Sequence, residues 1–395
     1  MPRSLLVNFF YAPAVGHALE GLRYALGYAA ADPDLDVSIL LNGATAVEFV
    51  ECCSFIKASY PVSFTKLNSI DGDPAVALSN VPRDWDYVAD IHRAYESWQI
   101  ERFPGFRAFF EASWRHFQPR SGGFSVAGFG ARAGRPDSES PAYLSHQKLR
   151  LTLPEHPREA ARNKLDGHQA IAVILAGNDP NRYRYPSATS WELMLTALSE
   201  RYPHAKLLLI GRIAASEDGN RTISRLDRNE VDRLLASVPA TIDCFNLPLL
   251  EQVALMEASN LLVAPHTGFA FAALCVDTPW LALPRAGQHE YFCNSVPFYS
   301  LIPDRERYSP ELLGSESVPL VDSDEDGDGP RIPSMTVGRF RAEIPQIVAA
   351  AERLIEGRIS YEQALAEHFP RVLAAYGGDR SRIYSTDQIA EQYLG

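Results

Sequence analysis

The sequence feature that most constrains the fold is the segment Asn260 to Pro284, which has the pattern of a strand, a tight loop, a helix and a second strand. Leu261 to Ala264 form a short apolar run that stops at Pro265, as expected for a strand buried on both faces of a parallel sheet. Phe269 to Val276 have a helical composition, and Trp280 to Leu283 form the second apolar run. A chain built from such units is expected to fold as an α/β protein.

The loop between the first strand and the helix is a candidate anion site. It contains His266, Thr267 and Gly268, and it is expected at the carboxyl edge of an open α/β sheet, where ligands bind. The N–H groups at the start of a helix attract anions. We therefore predict that a phosphate group binds at Thr267, Gly268 and Phe269.

The same alternation of strands and helices runs through both halves of the chain. With 395 residues, the chain exceeds the size at which one core stops growing, so two domains are expected. We place the boundary in a charged linker, Glu155 to Asp166, which gives domains of residues 1–163 and 164–395. Each half is predicted to be doubly wound and Rossmann-like.

Several elements are predicted individually. In the first half, the predicted strands are Ser4 to Phe10, Val37 to Leu41, Val62 to Leu67, Tyr87 to Ile91 and Leu149 to Leu153, and the predicted helices are Ala18 to Ala31 and Ala44 to Phe55. Gln118 to Ser140 is predicted to be a loop. The aromatic residues of Trp98 to Phe117 fall near helical spacing, which favours core packing over acceptor binding. In the second half, helices are predicted at Trp191 to Arg201, with Ser190 as N-cap, and at Ile223 to Ser237.

Composition excludes several classes of function. The net charge of -12 argues against nonspecific nucleic-acid binding, and no apolar run is long enough to span a bilayer. We expect a cytoplasmic protein. The five cysteines lack CxxC spacing, and the acidic loop from Asp322 to Gly327 lacks the final glutamate of a calcium-binding loop, so no metal or cofactor is predicted.

Two further loops hold candidate functional residues. Tyr11, Gly16 and His17 follow the first predicted strand, and a histidine there is either a polar helix-start residue or a catalytic group. Arg182 and Arg184 follow the strand Ala170 to Leu175, where guanidinium groups would neutralise a diphosphate unless the loop is only solvated.

Three motifs carry a resemblance to a known family. They are VGHALEG at residues 15–21, GNDPNRYRYP at 177–186 and VAPHTGFAFAALCVDTPWLAL at 263–283. The second half resembles the nucleotide-sugar domain of GT-B glycosyltransferases, and most closely the ADP-heptose:lipopolysaccharide heptosyltransferases of glycosyltransferase family 9. The family typically carries Gly-Asp in the first motif, a basic segment ending in Trp-Pro in the second, and Asp-Thr-Gly before a His-containing helix start in the third. Here these are Gly16-His17, Arg182 to Pro186, and His266-Thr267-Gly268 with Phe271.

The resemblance implies a GT-B fold, in which two Rossmann-like domains face a central cleft and the last helix, about residues 375–395, crosses back to the first domain. It implies an inverting, metal-independent glycosyltransferase that uses a nucleoside-diphosphate sugar as substrate and needs no cofactor. His17 takes the position of the base, with Gly16 and Tyr11 near the acceptor. The implied donor-binding residues are Asn178, Arg182, Arg184, Gly211, His266, Thr267, Gly268 and Phe269.

The departures from the family pattern leave the substrates and the activity open. His266 cannot accept hydrogen bonds from sugar hydroxyls as a carboxylate does, so heptose is not carried over as the donor sugar. The expected acceptor is either a small molecule of the natural-product type or a glycolipid of the lipopolysaccharide type. Alternatives are a nucleotide-sugar 2-epimerase of GT-B fold and a catalytically inactive sugar-nucleotide-binding partner protein.

Overall fold

The structure, a computed structural model, divides the chain into two compact units. It describes residues 2–10, 14–63, 72–91, 104–121, 123–127, 141–179, 181–213, 223–286, 293–308, 320–321, 329–383 and 385–395. Unit 1 extends to Thr152 and also includes residues near the C-terminus, as far as Ile389, whereas unit 2 begins at Leu153. Within the described ranges, no helix is long and apolar enough to cross a membrane.

Unit 1 is built around a parallel sheet. The strands of this unit are β1 Arg3–Phe9, β2 Leu35–Asn42, β3 Ala58–Val62, β4 Asp84–Trp85, β5 Tyr87–Ile91, β6 Gln118–Pro119 and β7 Phe124–Ala127. Among the described residues the order of strands in the sheet is β3-β2-β1-β5-β7, and the short strands β4 and β6 pair with each other. The helices are α1 Val15–Ala31, α2 Pro74–Ala77 and α3 Pro104–His116.

The central strands of this sheet form because their sequences are mostly apolar runs, in the places that the sequence analysis predicted. From Leu5 to Phe9 every residue of β1 is buried, as expected for a strand covered on both faces. The aromatic stretch predicted at Trp98 to Phe117 supplies three residues to a buried apolar cluster beside the sheet. They are Phe109 and Phe110 of α3 and Phe117, which directly follows this helix. Trp114 on the same helix is 52% exposed, so the stretch supplies both core and surface.

Four predictions for unit 1 are corrected. Ala44 to Phe55 contains only a 3₁₀ turn, Val47–Cys52. The third strand spans residues 58–62 at the edge of the described sheet, where its Pro61 removes no ladder hydrogen bond, so it ends where the predicted strand was to begin; residues 64–67 of that predicted strand lie outside the described residues. The predicted loop from Gln118 contains β6 and β7, although its glycine-rich part lies outside the described residues. Leu149, Leu151 and Leu153 are buried in alternation, but they do not form a sheet strand.

Unit 2 contains a second parallel sheet. Its strands are β8 Ala170–Ile174, β9 Lys206–Gly211, β10 Thr241–Phe245, β11 Leu261–Pro265, β12 Trp280–Leu283 and β13 Phe298–Ser300. Among the described residues their order in the sheet is β10-β9-β8-β11-β12-β13. The helices are α4 Glu155–Leu165, α5 Ala188–Arg201, α6 Arg228–Ser237, α7 Leu249–Glu257, α8 Phe271–Leu274, α9 Val337–Ile355 and α10 Tyr361–Ala375.

Local chemistry explains where unit 2 differs from the predictions. The charged linker is the helix α4, because Pro157, Ala161 and Leu165 form a buried stripe and Arg158 makes two hydrogen bonds of 2.7 Å to Glu257 of α7. Ser187 rather than Ser190 caps α5, since its hydroxyl accepts the N–H of Ser190. The helix predicted from Ile223 begins only at Arg228, after a capping box formed by Asp227 and Glu230.

Candidate functional site

Among the described strands, each sheet has one point where the chain stops adding strands on one side and begins to add them on the other. In unit 1 the chain adds β2 and β3 on one side of β1 and β5 on the other, so the reversal lies between β1 and β5. In unit 2 it lies between β8 and β11. Ligands of open α/β sheets bind outside the carboxyl ends of the strands at such a point. The residues that follow these four strands are therefore the candidate site residues of each unit.

The loops that follow β8 and β11 pack closely at Gly177. A Cβ atom at this position would lie 2.7 Å from Thr267 Oγ1 and 2.8 Å from Tyr185 Oη, so a larger side chain would displace both hydroxyls. Tyr185 Oη accepts the N–H of Asp179 at 3.0 Å. Burial raises the pKa of Tyr185 to about 12, so its hydroxyl keeps its proton at neutral pH. The structure thus brings the hydroxyls of Thr267 and Tyr185 together around one glycine.

Three arginines pair with Asn178 and Asp179, the two residues that follow Gly177. Arg184 donates from Nη1 to Asp179 Oδ2 at 2.8 Å, and Nη1 of Arg285 lies 3.6 Å from the same oxygen. Arg225 donates to the carbonyl oxygen of Asn178 at 3.2 Å and to its side-chain oxygen at 3.1 Å. Guanidinium groups have the donor geometry that phosphate oxygens require. This cluster can bind an anion with more than one phosphate group.

Arg182 is not part of this arginine cluster. Its side chain is turned to the start of α6, where it pairs with Glu230 and lies 3.8 Å from Asp227. Of the two arginines predicted to bind the donor, Arg184 thus pairs with Asp179 in the cluster, whereas Arg182 pairs with Glu230 of α6. The reason is the 3₁₀ turn Arg182–Arg184, which directs the two side chains to different partners.

The helix that was predicted to start at Phe269 is much shorter than expected. A 3₁₀ turn, Gly268–Ala270, leads into α8, which has four residues. Its dipole is correspondingly small, because the dipole is the sum over aligned peptide units. Phe269 is buried, so its ring belongs to the core. The ring centroid of His266 lies 5.6 Å from that of Phe271, so these two residues form an aromatic pair at this loop.

Gly211 ends β9, the neighbour of β8 in the sheet. Its φ of 141° is in the region that favours glycine, and its carbonyl oxygen accepts the N–H of Asn246. The structure therefore places Gly211 at the same carboxyl edge as Gly177.

In unit 1 the reversal point carries a buried carboxyl group. Asn8 of β1 and Asp90 of β5 are paired in register, and the Asn8 amide donates to Asp90 Oδ1. Trp114 donates from Nε1 to Asp90 Oδ2 at 2.7 Å. Burial raises the pKa of Asp90 to about 7, although both hydrogen bonds act in the opposite direction. The half-exposed indole of Trp114 is thereby fixed at the carboxyl edge.

His17 lies in the first turn of α1, just after the end of β1. Its side chain is partly exposed, and its N–H donates to the carbonyl oxygen of Ala14 at 3.0 Å. Gly16 is buried in the same turn, and Tyr11 lies outside the described residues. His17 and Trp114 thus both belong to the carboxyl edge of unit 1.

Comparisons with known proteins define the fold. No protein-family profile matches the sequence, and no curated protein matches it either. Among solved structures, a family 9 glycosyl transferase from Veillonella parvula is similar, with a TM-score of 0.59 and 13% identity over 90% of this chain and 98% of that one. The E. coli heptosyltransferase WaaC with ADP-2-deoxy-2-fluoro heptose has a TM-score of 0.51 and 11% identity over 87% and 99% of the two chains. The same enzyme with ADP has a TM-score of 0.50 and 10% identity over 88% and 99%.

The chain has a GT-B fold. The predicted fold class is therefore confirmed, with two parallel α/β sheets in two compact units. The three arginines of the unit 2 cluster lie within residues 164–395, the domain for which the sequence predicted donor binding.

Sequence reasoning missed several residues of this GT-B protein's candidate site. Arg285 directly follows the apolar run that ends at Pro284, and a charged residue at the end of a predicted strand is a signal that could have identified it. Arg225 gives no such signal, because its segment was predicted to be helical. All five cysteines are buried, and none of them forms a disulfide bond. Among the described residues no three metal-ligating side chains are grouped.

Proposed function

We propose that the protein is a glycosyltransferase that moves a sugar from a nucleoside-diphosphate sugar to an acceptor hydroxyl with inversion at the anomeric carbon and without a metal ion. The observation that supports this most is the convergence of Thr267, Tyr185 and three arginines at the β8–β11 reversal point of a GT-B fold. The similar E. coli heptosyltransferase structures contain ADP or ADP-2-deoxy-2-fluoro heptose.

Unit 2 supplies the groups that bind the donor's diphosphate. Arg184, Arg225 and Arg285 offer positive charge, and the Thr267 hydroxyl and the Gly268 N–H offer hydrogen bonds. Negative charge grows on the leaving oxygen as the bond to the sugar breaks, so donors fixed at this position stabilise the transition state more than the bound substrate. We assign to these groups the stabilisation of the diphosphate that the sequence analysis attributed in part to a helix dipole.

Unit 1 supplies the base. The acceptor oxygen attacks the anomeric carbon while the bond from that carbon to the diphosphate oxygen breaks, and His17 takes the proton that the acceptor hydroxyl loses. An imidazole is suited to this step, because its ordinary pKa lies near neutral pH. One displacement at the anomeric carbon inverts its configuration, and the diphosphate leaves with the electron pair of the broken bond.

The acceptor is proposed to be a small molecule with a sugar or aromatic ring. The exposed face of Trp114 supports this, since an indole fixed by a hydrogen bond to Asp90 offers a rigid apolar surface at the carboxyl edge of unit 1. A cytoplasmic acceptor fits this proposal.

The test is binding of a nucleoside diphosphate to unit 2. We expect that Thr267→Val weakens binding by roughly 1 to 3 kcal/mol, because a hydrogen bond to a charged group is lost. Titration calorimetry with a panel of nucleoside diphosphates measures this, and thermal unfolding of the ligand-free variant checks that it folds. Unchanged affinity in the folded variant would remove Thr267 from the site, and a wild-type protein that binds no nucleotide would rule out the proposed function.

The alternatives give different results in the same samples. A 2-epimerase would convert a nucleotide sugar without any acceptor, whereas an inactive binding protein would bind the nucleotide and leave every nucleotide sugar unchanged. A glycosyltransferase releases nucleoside diphosphate in proportion to the acceptor that is consumed.

A further inference from the structure

One carboxylate joins two arginines that come from different loops of unit 2. Asp179 and Arg184 follow β8, whereas Arg285 follows β12, two strands away in the sheet. Both guanidinium groups approach the same oxygen, Asp179 Oδ2, at 2.8 and 3.6 Å. The other oxygen, Oδ1, accepts the N–H of Asn181 at 3.0 Å, which fixes the carboxylate to its own loop. The carboxylate is therefore oriented by the backbone and in turn orients the two arginines.

The backbone on both sides of Arg285 is also held. The carbonyl oxygen of Pro284 accepts a hydrogen bond of 3.0 Å from Arg339, a buried side chain of α9 that also donates to Leu301. The N–H of Ala286 donates to Ser334 Oγ at 3.2 Å. Because its two neighbours are anchored in this way, Arg285 has little freedom to move away from Asp179. The side chain of Arg285 is 11% exposed, so its guanidinium group is mostly shielded from water.

The charges of these three residues leave a net positive group beside the Thr267 loop. Two guanidinium groups carry two positive charges and Asp179 removes one, so the trio retains one positive charge. Gly177 and Tyr185 connect the trio to Thr267, since Tyr185 Oη binds the Asp179 N–H and lies next to the Thr267 hydroxyl around Gly177. A ligand with one phosphate at Thr267 would thus place a second phosphate next to this positive charge.

We propose that Arg184 and Arg285 form a clamp for the second phosphate of the donor, and that Asp179 is the positioning residue that holds the clamp in place. The proposal rests on the proposed function and deepens it. It makes Arg285, which no motif identified, a specificity-determining residue that selects a diphosphate over a monophosphate. Because Asp179 already holds both guanidinium groups in position, the arginine side chains lose little conformational entropy when they bind a phosphate.

The test compares diphosphates with monophosphates. The probes are ADP, UDP and GDP, each beside its monophosphate, titrated calorimetrically into the full chain. Arg285→Gln should raise the dissociation constant of the best diphosphate roughly 10- to 150-fold, which corresponds to the loss of charged hydrogen bonds. The dissociation constant of the matching monophosphate should change by less than about threefold, within the range of a surface substitution. Arg285→Lys, which keeps the charge but not the two-pronged donor geometry, should lie between wild type and Arg285→Gln.

The matched control is Arg201→Gln. It removes the same charge from unit 2, but from a side chain of α5 that pairs with Glu352 of α9 and has no proposed role in binding, so neither dissociation constant should change. Asp179→Asn separates positioning from simple charge. If Asp179 positions the clamp, its neutral variant binds the diphosphate more weakly, although the site has become more positive. If Asp179→Asn instead tightens the binding of both ligands, Asp179 is only a competing negative charge and the positioning role is overturned.

The remaining outcomes distinguish failure of the clamp proposal from failure of the proposed function. Diphosphate binding that depends on Thr267 but is unchanged in Arg285→Gln leaves the proposed function in place and overturns the clamp. An equal loss of diphosphate and monophosphate binding also overturns it, because a clamp on the second phosphate must discriminate between the two. A wild-type chain that binds no nucleotide overturns both proposals.

Discussion

At the scale of single residues, His17 is the side chain on which the proposed chemistry depends. Its position in the first turn of α1, directly after β1, is that of a group that meets a ligand at the carboxyl edge of unit 1. A positioned base typically contributes about 10² to 10⁴ in rate, so His17→Asn should lower kcat by that order. Donor affinity should not change, because the proposed donor-binding groups belong to unit 2. Steady-state kinetics and donor titration measure the two effects separately.

A His17→Asn protein that keeps more than about a tenth of the wild-type rate, which is outside the usual effect of a lost base, would make His17 a helix-start residue without a catalytic role. His17→Ala serves as the second variant, because it also removes the hydrogen-bonding capacity. Asp90 would not be a simple substitute. It is fully buried, and both of its carboxylate oxygens accept hydrogen bonds, so it does not face a ligand directly.

How far the site could be predicted also depends on single residues. Thr267 and Arg184 follow apolar runs that could be recognised as buried strands, so their place at a sheet edge follows from the sequence. Arg225 and Arg285 reach the same place through packing between loops that are far apart in the sequence. Only the tertiary structure brings them to Asn178 and Asp179. For the same reason the sequence could not separate Arg184 from Arg182.

At the scale of elements, the predictions succeed where one local property determines the structure. Apolar runs such as Ala170–Ile174 and Leu261–Pro265 are buried parallel strands, as predicted. The predictions fail where a distant partner determines it. The charged segment Glu155–Leu165 is helical because one face packs against α7, and the alternating leucines from Leu149 to Leu153 are buried although this segment is not itself a strand.

Asp90 links three elements, because it lies on β5 and binds Asn8 of β1 and Trp114 of α3. Its pKa is raised to about 7 in the folded protein by burial, against an ordinary value of about 4 in an unfolded chain. Between these values the folded state holds a proton that the unfolded state has lost. Its contribution to stability is therefore complete below about pH 4 and is lost as the pH rises to about 7, at about 1.4 kcal/mol per pH unit.

We expect Asp90→Asn to remove this dependence, so that the difference in unfolding free energy between variant and wild type changes steadily from pH 5 to pH 7 and then stays level. Urea unfolding at several pH values measures the difference. The control is Asp86→Asn. The hydrogen bonds from Ser4 lower the pKa of Asp86, so it is ionised in both states throughout this range and its removal should not alter the slope. The same slope in wild type and Asp90→Asn would contradict the raised pKa.

At the scale of the whole molecule, the end of the chain is fixed to its beginning within unit 1. The Asp387 carboxylate, 5% exposed, pairs at 2.8 Å with Arg23 of α1, whose side chain is 2% exposed. Tyr143 Oη and the N–H of His146 donate to the same carboxylate at 2.9 and 2.6 Å. Asp387 and Gln388 have φ values of 53° and 59°, a left-handed pair that breaks the 3₁₀ turn Thr386–Gln392 and directs the carboxylate inward. The C-terminal segment thus completes the polar core of unit 1.

The last prediction follows from this ion pair. Asp387→Ala leaves Arg23 buried without this carboxylate, and breaking a buried pair by removing one partner costs about 3 to 5 kcal/mol. Glu391→Ala, which removes an exposed carboxylate from the same segment, should change stability by less than about 0.5 kcal/mol. Hydrogen exchange locates the effect. If the segment stabilises unit 1, amides of α1 exchange faster in Asp387→Ala while those of the unit 2 sheet keep their rates. Equal acceleration in both units would mean that the C-terminus supports the whole chain instead, and unchanged exchange in α1 would mean that the pair contributes nothing to stability.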